Sequence, residues 1–292
     1  MIDSTPEELV FTIDGLAYHA LAWGGVDAPV VLGCHGWLDN ALSFARLGPA
    51  LTSFRFVSVD MSGHGLSDHR SPDATYNIWD DLPQLQQIVD QVSPAQPVYL
   101  VGHSRGASIA MLLAMVLGER CAGLVMIDGA LPDYTDDRSV SDQLIRFVNE
   151  LERYRGRGER FFDSIDDYAE RRGSYGFSHE SGRLLAARAL EEGAKGWRLR
   201  NDVRLYGASA VTLSGAMRPD LYGALVAPLL LIKAEEGMLK HHPRAASALA
   251  QARESVRNFR EQTLPGGHHL HMEADTWQAV ADTVDEFLSS LS

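Results

Sequence analysis

Cysteine is scarce in this chain of 292 residues, which contains only Cys34 and Cys121. Each lies in or beside an apolar run typical of a strand, so we expect two buried free thiols rather than a disulfide. Residues 1–6 also lack the basic start and the apolar core of a secretory signal peptide. Together these features favour a cytoplasmic protein.

Positive charge and long hydrophobic runs are lacking as well. The formal net charge is -13, which argues against a nucleic-acid-binding surface. The longest apolar stretch, Ile109–Leu117, is too short to span a bilayer, so we expect no stable membrane insertion. We see no internal repeat and no low-complexity segment, and nothing in the sequence indicates an oligomeric state.

Strands and helices alternate through the first part of the chain, and 45% of all residues are hydrophobic. This alternation predicts an α/β fold with a mostly parallel sheet and helices on both faces. The predicted elements are a hairpin over 8–23, strands over 29–33, 54–61, 97–101 and 123–127, and helices over 41–51, 77–92 and 107–117.

The alternation stops after Asp128. Residues 131–225 are charged, helical in pattern and poor in strand signals, and two surface helices are predicted over 142–153 and 181–192. A strand at 228–232, another near 256–264 and a helix near 276–291 then resume the earlier pattern. We therefore predict a core of residues 1–130 and 226–292 with a helical lid, residues 131–225, inserted between its two parts.

A serine stands between two glycines where a predicted strand meets a predicted helix. Residues 102–106 read Gly-His-Ser-Arg-Gly, which fits the pattern G-x-S-x-G. This pattern describes a turn so tight that the serine backbone is strained, and the flanking glycines remove side chains that would collide. We predict that Ser104 is a nucleophile held at the N-terminus of the helix.

A base for this serine is predicted near the end of the chain. His268 directly follows the glycine pair Gly266-Gly267, and a neutral imidazole can take the serine proton and return it to a leaving group. We interpret His269 and His271 as packing or capping residues. Neither this run nor His241-His242 has the usual spacing of metal ligands, so we expect no metal and no cofactor.

An oxyanion hole requires two backbone N–H groups directed at one point. We expect one from Arg105, directly after the nucleophile, and the other from Trp37, in the loop after an early strand. Asp39 or Asn40 in that loop would cap the next helix. The side chain of Arg105 could meet a substrate carboxylate or a lid carbonyl, or pair with a local acidic residue.

Four segments together resemble a known family. "HGWLDN", "DMSGHGLS", "GHSRG" and "GGHHLHME" occur in the order and spacing of the α/β-hydrolase fold. With "LLIKAEEG", they resemble its serine hydrolase-like branch over nearly the whole core. The resemblance implies Ser104 as nucleophile, His268 as base, Trp37 and Arg105 as oxyanion donors, and a lid domain.

The acid departs from the family pattern. The family acid commonly follows the next-to-last strand, where this chain has Gly237 in place of an aspartate. Some members carry the acid one strand earlier, and Asp128 stands there. We prefer Asp128 and keep Glu236 and Glu235 as alternatives.

These residues predict a serine hydrolase that cleaves an acyl ester, or a lactone, thioester or amide, through an acyl-enzyme on Ser104. Its partner would be a small-molecule acyl substrate. The alternatives are carbon–carbon bond hydrolysis with the same residues, and a ligand-binding pseudo-hydrolase with little turnover. We expect the lid to cover Ser104, with Trp197, Tyr206 and the pair Phe161-Phe162 as pocket or hinge contacts.

Overall fold

The computed structural model describes residues 5–131, 139–241 and 245–291. Its strands are β1 (Glu7–Ile13), β2 (Leu16–Trp23), β3 (Val30–Cys34), β4 (Arg55–Val59), β5 (Val98–His103), β6 (Cys121–Ile127), β7 (Phe161–Phe162), β8 (Leu190–Gly193), β9 (Gly196–Leu199), β10 (Leu229–Glu236) and β11 (Phe259–Gly267). Its α-helices are α1 (Leu47–Ala50), α2 (Leu82–Val92), α3 (Arg105–Leu117), α4 (Val140–Arg155), α5 (Ile165–Gly173), α6 (His179–Ala189), α7 (Arg218–Gly223), α8 (Met238–His241), α9 (Ala245–Ser255) and α10 (Trp277–Ser289).

One large sheet organises the core, in the order β1-β2-β4-β3-β5-β6-β10-β11. β2 pairs antiparallel with β1 and with β4, whereas every pairing from β4 to β11 is parallel. β3, β4 and β5 are buried along their whole lengths, as expected for parallel strands covered by helices on both faces. The predicted mostly parallel α/β fold is confirmed.

Parallel strands bring their carboxyl ends to the same edge of the sheet. The loops after β3, β5, β6, β10 and β11 therefore meet there, above two apolar layers that pack on opposite faces of the sheet. Cys34 and Cys121 are buried in this core as free thiols, as predicted.

The chain between β6 and β10 leaves the sheet, and we call its described residues 139–225 the insertion. The sequence predicts a helical segment here, but the insertion also contains strands. β7, β9 and β8 form a small antiparallel sheet beside α4, α5, α6 and α7. The prediction of a helix over 181–192 was wrong at its end, since β8 begins at Leu190. Gly196, with φ 103°, turns the chain back into β9.

Two core helices also differ from the prediction. The predicted helix over 77–92 begins only at Leu82, since Pro83 is tolerated in the first helical turn but not inside a helix. The segment before it is a turn in which the Asn77 N–H donates to Asp80 at 2.6 Å. The predicted helix over 41–51 is a 3₁₀ turn, Ala41–Phe44, followed by the single-turn α1.

Within the described residues, no helix has both the length and the apolar character needed to cross a membrane.

Candidate active site

Ser104 occupies a strained turn between β5 and α3. Its backbone has φ 53° and ψ −120°, a conformation that residues with side chains rarely adopt. The flanking glycines make the turn possible. A Cβ on Gly102 would lie 2.4 Å from the Gly106 carbonyl oxygen, and one on Gly106 would lie 2.0 Å from the Cys34 carbonyl oxygen. The turn therefore holds Ser104, half-buried, at the N-terminus of α3.

His268 directly follows β11 and connects Ser104 to a carboxylate. Its Nε2 lies 2.9 Å from Ser104 Oγ, and its Nδ1 lies 2.7 Å from Asp128 Oδ2. Because a carboxylate accepts hydrogen bonds, Nδ1 carries the proton of the neutral ring and Nε2 is left to accept from the serine hydroxyl. The three side chains form one continuous hydrogen-bonded chain.

Asp128 lies at the end of β6 and is completely buried. Its carboxylate accepts the Met238 N–H at 2.7 Å and the Ala234 N–H at 3.2 Å, both from the end of β10 and the turn after it. Burial alone would raise the pKa of Asp128, but the hydrogen bond from His268, with these two N–H groups, lowers it. The carboxylate is therefore ionised and held by the end of β10, the turn after it and His268.

The alternative acids lie elsewhere. Glu235 and Glu236 are exposed at the end of β10, and Glu236 pairs with Lys240 one helical turn away. Gly237 shows why the family position carries no acid here, because a Cβ at this residue would lie 2.3 Å from Asp128 Oδ2. The glycine leaves the space that the carboxylate of Asp128 occupies.

We expect Gly237→Ala to destabilise the protein. The added methyl group has to displace the buried carboxylate of Asp128, and overpacking of this kind costs about 1–3 kcal/mol. Chemical denaturation measures the free energy of unfolding. The matched control is Gly223→Ala at the end of α7, where a Cβ has nothing within 4 Å. Equal free energies of unfolding for the two variants would contradict the assigned role of Gly237.

The residues predicted as oxyanion donors line the same cavity as Ser104. Arg105 is the first residue of α3, and Trp37 lies in the loop after β3. The side chains of both residues are engaged with other parts of the protein. Arg105 donates to the Tyr76 carbonyl at 2.6 Å, and Trp37 Nε1 donates to the Leu205 carbonyl of the insertion at 2.9 Å. Their backbone contribution to an oxyanion hole stays a prediction.

A cavity of about 400 Å³ opens beside Ser104, between the core and the insertion. Its core side includes Trp37, Arg105, Ile78 and Leu239, and its insertion side includes Gln143, Arg146, Leu205 and Tyr206. Of the insertion aromatics predicted as pocket or hinge contacts, Tyr206 lines this cavity. Phe162 and Trp197 instead pack in an apolar cluster that the insertion forms with Met272 of the core, and Phe161 pairs with β9.

Residues 29–275 match the alpha/beta hydrolase fold family. The chain belongs to this family. Serine hydrolase-like protein 2 of Homo sapiens is 29% identical over 286 residues, which cover 92% of this chain and 90% of that protein. A serine hydrolase-like protein of Dictyostelium discoideum is 25% identical over 275 residues, which cover 89% of this chain and 75% of that protein. The predicted resemblance to the serine hydrolase-like branch is confirmed.

Solved structures agree with this assignment. A hypothetical protein from Pseudomonas aeruginosa PAO1 has a TM-score of 0.89 and 33% sequence identity, covering 97% of this chain and 99% of that one. The thioesterase domain from the curacin biosynthetic pathway has a TM-score of 0.83 and 24% identity, covering 96% and 99%. Both similarities extend over the insertion as well as the core of this alpha/beta hydrolase.

The hydrolase core also buries several histidines beneath His268. His269 stacks on Phe177 with ring centroids 3.4 Å apart, and His271 Nε2 lies 2.9 Å from Ser43 Oγ, so both pack as predicted. Burial lowers the pKa of His269 to about 2. His103, which precedes Ser104, is wholly buried against the ring of His268.

Three of these rings are the described residues best suited to hold a metal. His103, His268 and His269 each offer a nitrogen within 4.8 Å of the others. Both nitrogens of His268 already bond to Asp128 and Ser104, which leaves it no lone pair for a metal. We keep the prediction that the site works without one. His241 pairs with Glu236 on the surface, and His242 lies outside the described residues.

Sequence reasoning missed the part played by Asp39. The expected cap comes from Asn40, whose side chain accepts the Leu42 N–H at 3.0 Å. Asp39 is instead buried and pairs with Arg172 of the insertion. An aspartate and an asparagine side by side at a helix start were the available signal, because only one of them can be the cap.

Proposed function

We propose that this protein is a serine hydrolase that cleaves acyl esters through an acyl-enzyme on Ser104. The observation that carries the proposal is the continuous chain from Ser104 Oγ to His268 Nε2 at 2.9 Å and from His268 Nδ1 to Asp128 Oδ2 at 2.7 Å. A hydroxyl at the N-terminus of a helix, hydrogen-bonded to a neutral imidazole that a buried carboxylate orients, is an activated nucleophile.

Acylation begins when Ser104 Oγ attacks the carbonyl carbon of the ester. The hydroxyl proton passes to His268 Nε2, and the negative charge of Asp128 stabilises the imidazolium that forms. The carbonyl oxygen becomes an oxyanion, which the backbone N–H groups of Trp37 and Arg105 bind. When the tetrahedral intermediate collapses, His268 returns the proton to the departing alcohol and the acyl group stays on Ser104.

Deacylation repeats these steps with water. His268 takes a proton from the water, whose oxygen attacks the acyl carbon, and the second tetrahedral intermediate collapses as Ser104 recovers the proton. The carboxylic acid then leaves. Thioesters, lactones and amides require the same groups, and esters are proposed before amides because an alkoxide is a better leaving group than an amide anion.

In this proposal residues 131–225 form a lid over a core of residues 1–130 and 226–292. The cavity of about 400 Å³ receives the acyl chain of a small-molecule substrate. Its apolar walls come from both parts, with Ile78 and Leu239 from the core and Leu205 from the lid. Trp37 links the oxyanion loop to the lid through its hydrogen bond to Leu205.

Hydrolysis of p-nitrophenyl esters of increasing acyl length tests the proposal. We expect turnover of the short and medium chains that a cavity of this volume admits, and none by Ser104→Ala. A folded wild-type protein that cleaves none of these esters, and no thioester of the same acids, would overturn it.

We also expect acyl chains that carry a carboxylate to be favoured. Among the residues that the structure describes, the charged side chains lining the cavity are two arginines, Arg105 and Arg146. Arg146 lies on α4 with 44% of its side chain exposed, and its Nε donates to Glu150 one helical turn away at 2.8 Å. Arg146→Gln should reduce kcat/KM for mono-p-nitrophenyl glutarate about tenfold, since a charge-assisted hydrogen bond is lost.

The uncharged ester p-nitrophenyl pentanoate is the matched substrate and should be little affected by Arg146→Gln. Arg153→Gln is the matched control variant, because Arg153 is an exposed arginine of the same helix that lies outside the cavity. Equal losses for both substrates would show that Arg146 does not recognise the carboxylate.

A further inference from the structure

A buried ion pair connects the insertion to the loop after β3. Arg172 lies near the end of α5 and is 6% exposed, and Asp39, its partner, is 1% exposed. The guanidinium of Arg172 also lies over the Phe177 ring, 4.2 Å from its centroid. Burial alone would raise the pKa of Asp39, but the charge of Arg172 holds it well below its usual range. Asp39 is therefore a buried carboxylate whose charge Arg172 compensates.

The other oxygen of this carboxylate faces His103. Asp39 Oδ2 lies 3.7 Å from His103 Nδ1, which is too long for a hydrogen bond, and neither atom has a hydrogen-bond partner among the described residues. Gly36 permits this approach, because a Cβ there would lie 2.9 Å from both atoms. Arg172 donates to Oδ1. One oxygen of the Asp39 carboxylate therefore has a hydrogen-bond partner, and the oxygen that faces His103 has none among the described residues.

On the side of its ring away from Asp39, His103 makes a hydrogen bond to the backbone of His268. His103 Nε2 lies 2.9 Å from the His268 carbonyl oxygen, and since a carbonyl only accepts, the ring proton is on Nε2. Burial lowers the pKa of His103, so the ring is neutral and Nδ1 carries no proton. His103 thus stands between two acceptors, the His268 carbonyl and Asp39, and donates its one proton to the first.

Elementary electrostatics links the charge of Arg172 to the choice between these two acceptors. With Arg172 in place, the carboxylate is compensated and the proton stays on Nε2. Without Arg172, the uncompensated buried charge of Asp39 draws a proton to Nδ1, and the His268 carbonyl loses its donor unless the ring becomes doubly protonated. The contact is electrostatic, so it depends on the charge at position 172 more than on packing there.

We propose that Arg172 and Asp39 are positioning residues that hold His103 in its Nε2-protonated form, so that docking of the insertion also fixes the backbone of His268. The inference rests on the proposed role of His268 as the base. Withdrawal of α5 from the core would separate Arg172 from Asp39 and weaken the hydrogen bond that holds the backbone of His268. Activity therefore depends on a docked insertion.

Steady-state kinetics with p-nitrophenyl acetate test the effect on the base, because this small ester makes little use of the acyl cavity. Arg172→Met should lower kcat about tenfold to a hundredfold with KM nearly unchanged, the size expected for a slightly misplaced catalytic group. Arg172→Lys retains the charge and should recover most of kcat.

Arg188→Met is the matched control. Arg188 is another buried arginine of the insertion, and it bonds the buried Asp60 at 2.8 and 3.0 Å. Its removal leaves the pair of Arg172 with Asp39 in place while the insertion stays docked, so kcat should fall far less than in Arg172→Met. An equal loss of kcat in both variants would overturn the proposal in favour of a general structural effect.

The double variant Asp39→Asn with Arg172→Met separates charge from packing. An amide at position 39 carries no charge to compensate and can donate to Nδ1 of His103, which favours the Nε2-protonated ring. It should therefore restore kcat toward wild type. A double variant as slow as Arg172→Met would contradict the electrostatic argument.

Nitrogen NMR of the histidine rings reads the tautomer directly and does not depend on activity. The chain has 11 histidines, so the His103 signals are assigned by their loss in His103→Gln. We expect the Nε2-protonated form in the wild type and in the double variant, and a protonated Nδ1 in Arg172→Met. A protonated Nδ1 in the wild type would overturn the proposal even if Arg172→Met fails to fold.

If the wild type hydrolyses no ester, the proposed function fails, while the tautomers still decide whether Arg172 controls His103.

Discussion

Ser104→Ala should abolish covalent labelling by a fluorophosphonate probe. The wild-type hydroxyl donates to His268 Nε2 at 2.9 Å, so it can lose its proton to the ring as it attacks phosphorus, just as it would attack an acyl carbon. Alanine retains the shape of the turn but removes the attacking oxygen. Ester hydrolysis should fall by about six orders of magnitude, the scale seen when a serine nucleophile is removed.

Intact-protein mass spectrometry measures the labelling, and Ser108→Ala is the control. Ser108 lies one turn further along α3, and its hydroxyl donates to the Ala130 carbonyl at 2.9 Å rather than to a histidine. This variant should still be labelled once per chain. Labelling of a folded Ser104→Ala variant at the wild-type rate would show that the nucleophile is another residue.

Asp128→Asn should lower kcat by about four orders of magnitude, the loss known for the equivalent change in a chymotrypsin-type triad. The carboxylate accepts from His268 Nδ1 at 2.7 Å and so keeps Nε2 free to accept the serine proton. An amide can instead donate to Nδ1, which places the ring proton on Nε2 and reverses the hydrogen bond to Ser104. It also removes the charge that stabilises the imidazolium.

Glu236→Gln is the matched control, because Glu236 is the alternative acid of the sequence analysis. Its carboxylate pairs with Lys240 at the surface, and 63% of its side chain is exposed. We expect kcat within about twofold of wild type, as for most surface substitutions. A large loss in Glu236→Gln with a mild one in Asp128→Asn would exchange the two roles and leave Ser104 and His268 in theirs.

The local parts of this hydrolase could be predicted from its sequence. The turn at Ser104 follows from glycines at 102 and 106 between an apolar strand and an apolar helix, because sterics within five residues determine it. The strand end that carries Asp128 follows from a short apolar run, since parallel strands are buried on both faces. His268 was predicted from the glycine pair before it, because β11 is a mostly exposed edge strand. The sequence thus predicted Ser104 and His268 as partners and preferred Asp128 among three candidate acids, and their catalytic roles stay predictions.

Other features could not be predicted because distant residues decide them. Ala189 ends α6, where the pattern continued as a helix to Glu192, because the next residues pair with β9 to close a small sheet. The choice between Asp128 and Glu236 needed the space at Gly237, which only the packed strand ends reveal. The order of residues along the chain is the same whether Asp128 or Glu236 is the acid, so the sequence could not choose between them.

The sequence by itself determined the alternation of strands and helices in the core, the strained turn at Ser104 and the candidates for its partners, because these depend on neighbours within a few residues. Only the tertiary structure decided that Asp128 contacts His268, across 140 residues of chain, and that Arg172 compensates Asp39, across 133. Buried charges choose their partners by the geometry of the packed protein, since desolvation makes every unpaired alternative unfavourable.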